Sequence, residues 1–204
     1  MEKEKLIQRG AEAELFECEY FGRKAVAKRR VPKTYRNSQI DEKIRRLRTK
    51  EECLLLQKAK QLGVRTPIMY RVDRKNCEIL MEFIEGEKLR DKLNKKNFQE
   101  YCRRTGENIG RMHKANLIHG DLTTSNILIH NDFLVFVDFG LGFNSAKVED
   151  KAVDLLAFKK TFMATHFDIA DGWKMVLEGY ESAYSEGKAA ARQIPVIEGR
   201  ARYS

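Results

Sequence analysis

His119-Gly-Asp-Leu-Thr-Thr-Ser-Asn126, followed after a short apolar stretch by Val137-Asp-Phe-Gly140, is the segment on which the fold turns. Asp121, Asn126 and Asp138 stand in the order and spacing that phosphoryl transfer from ATP requires. One carboxylate orients an attacking hydroxyl; an amide and a second carboxylate hold magnesium against the phosphates. Asp-Phe-Gly alone is common by chance, but an Asp-x-x-x-x-Asn ending twelve positions before its Asp is not. Ile127 to Ile129 and Leu134 to Val137 are apolar runs joined by His130-Asn-Asp132, which has turn chemistry. A tight hairpin there brings Asn126 and Asp138 to the same end. The plainer reading, two turn residues satisfying local backbone groups, leaves the offset of Asp121 unexplained.

Working outward, Lys28 closes Ala25-Val-Ala-Lys28, a strand pattern otherwise apolar. A lysine there can hold the α- and β-phosphates of a nucleotide, given a carboxylate to fix its ammonium. Glu52 is the candidate, because Leu55, Leu56 and Ala59 share its helix face and an acid on an apolar stripe is costly unless paired. Glu51 is the rival, on a more mixed face. The bland alternative has Lys28 snorkelling at a strand end and Glu52 in a capping box with Thr49. The turn that should lie over the phosphates reads Gly10-Ala-Glu-Ala-Glu-Leu15, with a single glycine and an odd carboxylate, Glu12. Glu12 is either an ordinary solvated turn residue or a group that binds backbone amides until nucleotide displaces it. Met81-Glu-Phe-Ile84 ends a strand whose exposed backbone could meet an adenine ring. Asp154, inside the apolar run Ala152 to Phe158, should bind backbone amides of the loop around His119 to Asp121, and His119 reads as scaffold rather than base.

The 204 residues allow one domain or two small lobes sharing a cleft. The formal charge of +9 suits anionic partners, though it is equally the mark of a solvated basic surface. Cys18, Cys53, Cys77 and Cys102 are too widely spaced for a zinc site and read as free thiols of a reducing compartment. The charged N-terminus lacks a secretory signal and no run approaches the length of a membrane span, so a cytoplasmic protein is expected, also nuclear if the source is eukaryotic. Residues 5 to 31 alternate as strands do. A basic stretch, Lys33 to Arg48, precedes a helical pattern to Gln61, and strands are expected over Pro67 to Asp73 and Cys77 to Phe83. Helical periodicity then runs through Phe98, Tyr101, Cys102, Thr105, Ile109 and Met112, and again over about Val148 to Thr165 and Ala170 to Ser185. The expected α+β architecture has a strand-rich lobe with one main helix over residues 1–83, a hinge over 84–86, a helical lobe over 87–193 and a basic, mobile tail over 194–204.

With Lys28, Glu52, Asp121, Asn126 and Asp138 in order, the chain resembles a eukaryotic-type protein kinase. Gly120 stands where most of those carry arginine, Thr123 replaces the catalytic-loop lysine, and no Ala-Pro-Glu separates Asp138 from Asp154. Little room is left for an activation segment or a peptide platform. Ile7-Gln-Arg-Gly-Ala-Glu-Ala13, Arg30-Val-Pro-Lys-Thr-Tyr-Arg36, the His119 to Asn126 stretch and Glu149-Asp-Lys-Ala-Val-Asp154 together are similar to the small atypical kinase subunits of the KEOPS (EKC) complex. That resemblance covers nearly the whole chain. It implies a minimal bilobal kinase that hydrolyses ATP or phosphorylates Ser/Thr, using Mg2+. It implies KEOPS partners, above all the threonylcarbamoyl transferase subunit, and support of threonylcarbamoyladenosine (t6A) formation at position 37 of tRNA. Carried over by position, Asp121 is the catalytic base, Asn126 and Asp138 hold the metal, Lys28 and Glu52 grip the phosphates, Gly10 opens the phosphate loop, and Glu82 to Ile84 form the adenine hinge. The basic stretch, with Arg45, Arg46 and Arg48, is either a tRNA or partner contact or a solvated helix face. The competing reading is a small-molecule phosphotransferase of the aminoglycoside type, which shares His-Gly-Asp but needs a helical acceptor subdomain that fifty residues after Asp154 do not supply. A binding module with a degenerate site fits poorly with the presence of Lys28, Asp121, Asn126 and Asp138.

Overall fold

A computed structural model describes residues 4–200. Alternation of period two builds the first lobe. β1 (Lys5–Arg9), β2 (Ala13–Tyr20) and β3 (Arg23–Arg30) form antiparallel hairpins, and after helix α1 (Ser38–Gln61) come β4 (Met69–Asp73) and β5 (Glu78–Glu82). They make one antiparallel sheet in the order β1-β2-β3-β5-β4. On one face Ala25, Ala27 and Leu80 pack with Phe16, Cys18, Tyr20 and Tyr70. The other face of β3 carries Val26, Lys28 and Arg30 towards the cleft and α1.

The helix α1 begins earlier than its periodicity suggests. The Asn37 side chain accepts from the amides of Gln39 and Ile40, and Asp41 sits in the first turn, so most of the basic stretch is helical. Thr49 is mid-helix and donates to the Arg45 carbonyl, which removes the capping-box alternative for Glu52.

Phe83 to Gly86 link the sheet to a helical lobe of β6 (Glu87–Lys88), α2 (Leu89–Lys92), α3 (Phe98–Lys114), β7 (Leu117–Ile118), β8 (Ile127–His130), β9 (Phe133–Phe136), β10 (Phe143–Asn144), α4 (Val148–Thr165), α5 (Gly172–Ala183) and α6 (Lys188–Arg200). β8 and β9 are the expected hairpin, with β6 along its edge; β10 pairs with β7. The main core joins both lobes, from Leu55, Leu56 and Ala59 of α1 to Phe136, Phe158, Phe162 and Tyr180. No helix among the described residues is long and apolar enough to cross a membrane.

The tail expected from residue 194 is instead the second half of α6, and the helical lobe runs to Arg200; residues 201–204 lie outside the described part. Pro195 removes one backbone donor and Gly199 is a poor helix former. Ala190 and Ile194 are nevertheless buried on one face, and Lys159 and Glu149 of α4 pair with Glu198 and Arg200. Tertiary anchoring overrides local propensity here.

Helices α3 and α5 meet backbone to backbone at glycines. A methyl on Gly106 would lie 1.9 Å from the Val176 carbonyl oxygen, and one on Gly179 would lie 2.0 Å from that of Arg103. Alanine gains about 1 kcal/mol in helix propensity, but rigid backbone gives it nowhere to go, and overpacking costs about 1–3 kcal/mol or more. Gly106→Ala should therefore lower the melting temperature by several degrees, at about 2–4 °C per kcal/mol. An unchanged melt would show that the two helices can separate freely.

Candidate active site

The β3 strand places Lys28 and Arg30 on one face, two residues apart, opposite Glu52 of α1. Lys28 Nζ donates to Glu52 Oε1 at 2.6 Å and to Asp138 Oδ1 at 2.7 Å; Arg30 donates to Glu52 Oε2 at 2.6 Å. The expected Lys28–Glu52 pair is thus formed, and Glu51 stays exposed. Burial alone would lower the Lys28 pKa, but the two carboxylates outweigh it and hold the ammonium above its ordinary value. At Asp138 burial pulls the pKa up, and the charge and hydrogen bond of Lys28 reverse this to leave it below the ordinary range.

The hairpin closes as its turn chemistry predicts: Val137 N–H donates to Asn126 O at 3.0 Å, bringing the two candidate metal ligands to one mouth. Asn126 Nδ2 donates to the Asp121 carbonyl at 2.9 Å and to its Oδ2 at 2.8 Å. This turns the Asn126 amide oxygen away from Asp121. Asp138 has φ +62°, a strained setting for a non-glycine residue. Its Oδ1 takes Lys28 and the Gly140 amide, while Oδ2 has no donor among the described residues. One amide oxygen and one carboxylate suit Mg2+, which completes its shell with phosphate oxygens and water. No cluster of three His, Cys, Asp or Glu able to hold a metal by itself exists among the described residues.

Asp121 is aimed by a buried scaffold. Asp154 accepts from the amides of His119 at 3.0 Å and Gly120 at 2.9 Å, as its position in an apolar helix required. His113 Nε2 donates to Asp154 Oδ2 at 3.1 Å, and the other ring nitrogen meets the Tyr180 hydroxyl at 3.1 Å. Desolvation would raise the Asp154 pKa, but the hydrogen bond from His113 leads the effects that bring it below normal. Gly120 has φ +82°, and a Cβ there would lie 2.1 Å from the Leu141 carbonyl oxygen. An arginine could not occupy that place without moving the loop.

His119 is fully enclosed and packs on Phe139. Its Nε2–H donates to the Val137 carbonyl at 3.2 Å, leaving Nδ1 to accept from the Asp121 amide at 3.4 Å. Burial lowers its pKa from 6.5 despite three nearby carboxylates, so the ring is neutral scaffold. A depressed folded pKa contributes stability that is present above the unfolded value and lost as pH falls towards the folded one. Stability measured by urea titration should therefore decline below about pH 6.5. His119→Asn should flatten that slope, leaving the contribution of His166, whose pKa burial also lowers. An identical slope would refute the assignment.

The cleft between these groups is a cavity of about 280 Å³, walled by Lys28, Glu52 and Asp138 on one side and by Met81 to Ile84 and Asn126 on others. Glu82 and Ile84 both line it, but the Glu82 carboxylate accepts from the Ile68 amide at 3.0 Å and the Glu82 amide donates to Ile68 O at 2.8 Å, so neither group is free for a base. Gly10 opens the β1–β2 turn without lining the cavity; its amide donates to Ala13 O at 2.9 Å, and Ile7, Gln8 and Leu15 form the roof instead. Glu12 binds no backbone amide among the described residues. It pairs with Arg48 at 2.5 Å, while Lys33 Nζ donates to the Ala11 carbonyl. The basic stretch thus clamps the phosphate-side turn. Arg45 is likewise occupied, by Asp41 at 2.7 Å. Sequence reading missed Arg30, Lys88 and Ser125. Arg30 was within reach of the same two-residue alternation that exposed Lys28; Lys88 and Ser125 reach the cavity only through the folded hairpin.

A twisted antiparallel lobe with a lysine–glutamate pair, hinged to a helical lobe presenting Asp, Asn and Asp at one cleft, defines a protein of the kinase-like class. A RIO domain model matches residues 16–157. The KEOPS complex subunit Bud32 of Pyrococcus abyssi is 39% identical over 211 residues, covering 98% of this chain and 96% of that protein. The chain belongs to the RIO-domain family that includes this subunit. The Dictyostelium discoideum EKC/KEOPS complex subunit bud32 is 38% identical over 207 residues, with 82% of its length covered. A probable bifunctional tRNA threonylcarbamoyladenosine biosynthesis protein of Methanobrevibacter smithii is 43% identical over 201 residues, and there the chain spans 37% of the relative's length. In fold, the chain is similar to the Rio2 kinase of Chaetomium thermophilum solved as an ADP/Mg2+–phosphoaspartate complex, with TM-score 0.69 at 16% identity, covering 100% of this chain and 72% of that one.

Proposed function

We propose that this chain is an ATP-dependent kinase or ATPase subunit of a KEOPS-type assembly, supporting t6A formation at tRNA position 37 through a partner transferase. One observation carries the chemical part: Lys28, fixed by Glu52 at 2.6 Å and bonded to Asp138 at 2.7 Å, lines one cleft with Asn126, and Asp121 is hydrogen-bonded to Asn126. The names of relatives matched over nearly the whole chain support the assembly.

In this reading Lys28 binds the phosphates and Glu52 fixes its ammonium. The backbone of Ile84 receives the adenine. Asp121 orients a hydroxyl or water and accepts its proton as the new phosphorus–oxygen bond forms and the terminal bridge to ADP breaks. Asn126 and Asp138 would hold Mg2+, which would neutralise charge on the phosphate oxygens. Only β10 and its flanking loops separate Gly140 from α4, which supports water, this chain or a docked partner as acceptor over free peptides. The experiment is affinity capture of the tagged chain from native extract with ATP turnover read on the eluate. Recovery of a tRNA-modifying transferase supports the proposal; an active eluate without one rejects the assembly.

Because Arg45 and Arg48 are occupied, and Arg46 pairs with Glu42, a tRNA contact on α1 falls to its outer side, where Lys43 and Lys50 border a shallow depression with Arg74. Lys43→Ala with Lys50→Ala should reduce the log–log salt slope of tRNA binding by about one per lysine. An unchanged slope would move the contact elsewhere.

A further inference from the structure

Glu52 is gripped by two cations, and only one has a place in the nucleotide chemistry. Lys28 takes Oε1 and Arg30 takes Oε2, each at 2.6 Å. Arg30 is 4% exposed and Glu52 1%. The Arg30 Nε is buried with no partner among the described residues. A guanidinium so placed carries a desolvation cost that an apolar side chain of similar volume would avoid. Its packing points at the reacting groups: a Cβ on Gly140 would lie 3.0 Å from the Arg30 terminal nitrogen and 3.5 Å from Glu52 Oε2. The same guanidinium therefore backs both the lysine's anchor and the Asp-Phe-Gly turn that presents Asp138.

We propose that Arg30 is a positioning residue for Lys28, holding Glu52 in place while Lys28 changes partners. This rests on the nucleotide reading above. Lys28 is shared between Glu52 and Asp138. A metal-bearing triphosphate claims both ends of the second contact, the ammonium for phosphate and the carboxylate for the ion. Phosphate would then compete with Asp138 Oδ1 for the ammonium, and the grip of Lys28 on Glu52 would weaken as its charge is shared. With Lys28 as sole partner, Glu52 would become a poorly neutralised buried carboxylate, which favours α1 swinging away from the sheet. With Arg30 on its second oxygen, Glu52 is neutralised before and after nucleotide binds. Helix α1 is held from its far side as well, where Lys58 donates to Asn144 of β10 at 2.5 Å. The phosphate-gripping arrangement then needs no activation-segment phosphate to assemble.

The test measures the Mg·ATP dissociation constant of the full chain by calorimetry for Arg30→Met, Arg30→Lys, Glu52→Gln and the double variant Arg30→Met/Glu52→Gln, with Lys28→Ala as reference. Arg30→Met should raise the constant about tenfold, and the double variant should bind no worse than Glu52→Gln alone, because Arg30 acts through Glu52. Arg30→Lys, which keeps a charge within reach of the carboxylate, should recover most of the loss. A purely structural arginine would lower the melting temperature and leave affinity unchanged. Wild-type affinity in Arg30→Met, losses that multiply in the double variant, or Arg30→Lys binding no better than Arg30→Met would each overturn the proposal. If the methionine variant does not fold, Arg30→Gln replaces it in the same comparisons. Wild-type binding by Lys28→Ala would defeat the nucleotide reading itself, whereas loss there with none in Arg30→Met defeats only the role of Arg30.

Discussion

Asp121→Ala should reduce ATP turnover by about 10²–10⁴-fold, the range lost when a positioned acid–base group is removed, while the melting temperature stays near that of the unaltered protein. The Asp121 side chain is exposed and its one described partner is Asn126 Nδ2, which keeps a second bond to the Asp121 backbone oxygen. The loop's shape comes from Asp154 and His119, neither of which touches the Asp121 carboxylate. Little stability is therefore at stake, and the loss should fall on rate. Release of ADP, followed beside a thermal melt, distinguishes the two. Undiminished turnover in a folded variant would remove Asp121 from the chemistry.

The second large effect should separate Glu52 from Lys28. Glu52→Ala leaves the buried Arg30 without its carboxylate and Lys28 with Asp138 alone, and breaking a buried ion pair this way costs about 3–5 kcal/mol. Lys28→Ala leaves Glu52 still bonded to Arg30, so its cost in stability should be clearly smaller. Denaturant titration of the two variants reads the difference directly. Equal destabilisation would mean that Arg30 does not neutralise Glu52. Both variants should lose ATP use, Lys28→Ala by losing the phosphate ligand and Glu52→Ala by losing the anchor.

These expectations trace to features that the chain displays unequally. The hairpin at Ile127 to Val137 is legible because apolar runs flank a turn of polar residues, and Lys28 is legible because a charge interrupts an apolar strand. Asp154 announces itself in the same way on α4. The start of α1 is not legible from periodicity: its first turns expose Ile40 and bury Asp41, so the apolar stripe is missing and only the Asn37 cap marks the boundary. The end of α6 is hidden by Pro195 and Gly199, whose local preference is overruled by contacts with α4. Glu12 pairs with a residue thirty-six positions away, a partnership no local pattern encodes. Its carboxylate had two readings as a turn residue, and the fold supplied a third.

The chain of contacts from Tyr180 through His113 and Asp154 to the His119 amide, two residues before Asp121, is buried. Mobile ions weaken attractions at the periphery of a protein far more than those sealed inside it. A brine strong enough to release a polyanion bound to this cationic surface should leave the Asp121 carboxylate aimed as before. Docking and chemistry would then fail at different ionic strengths, the first well before the second.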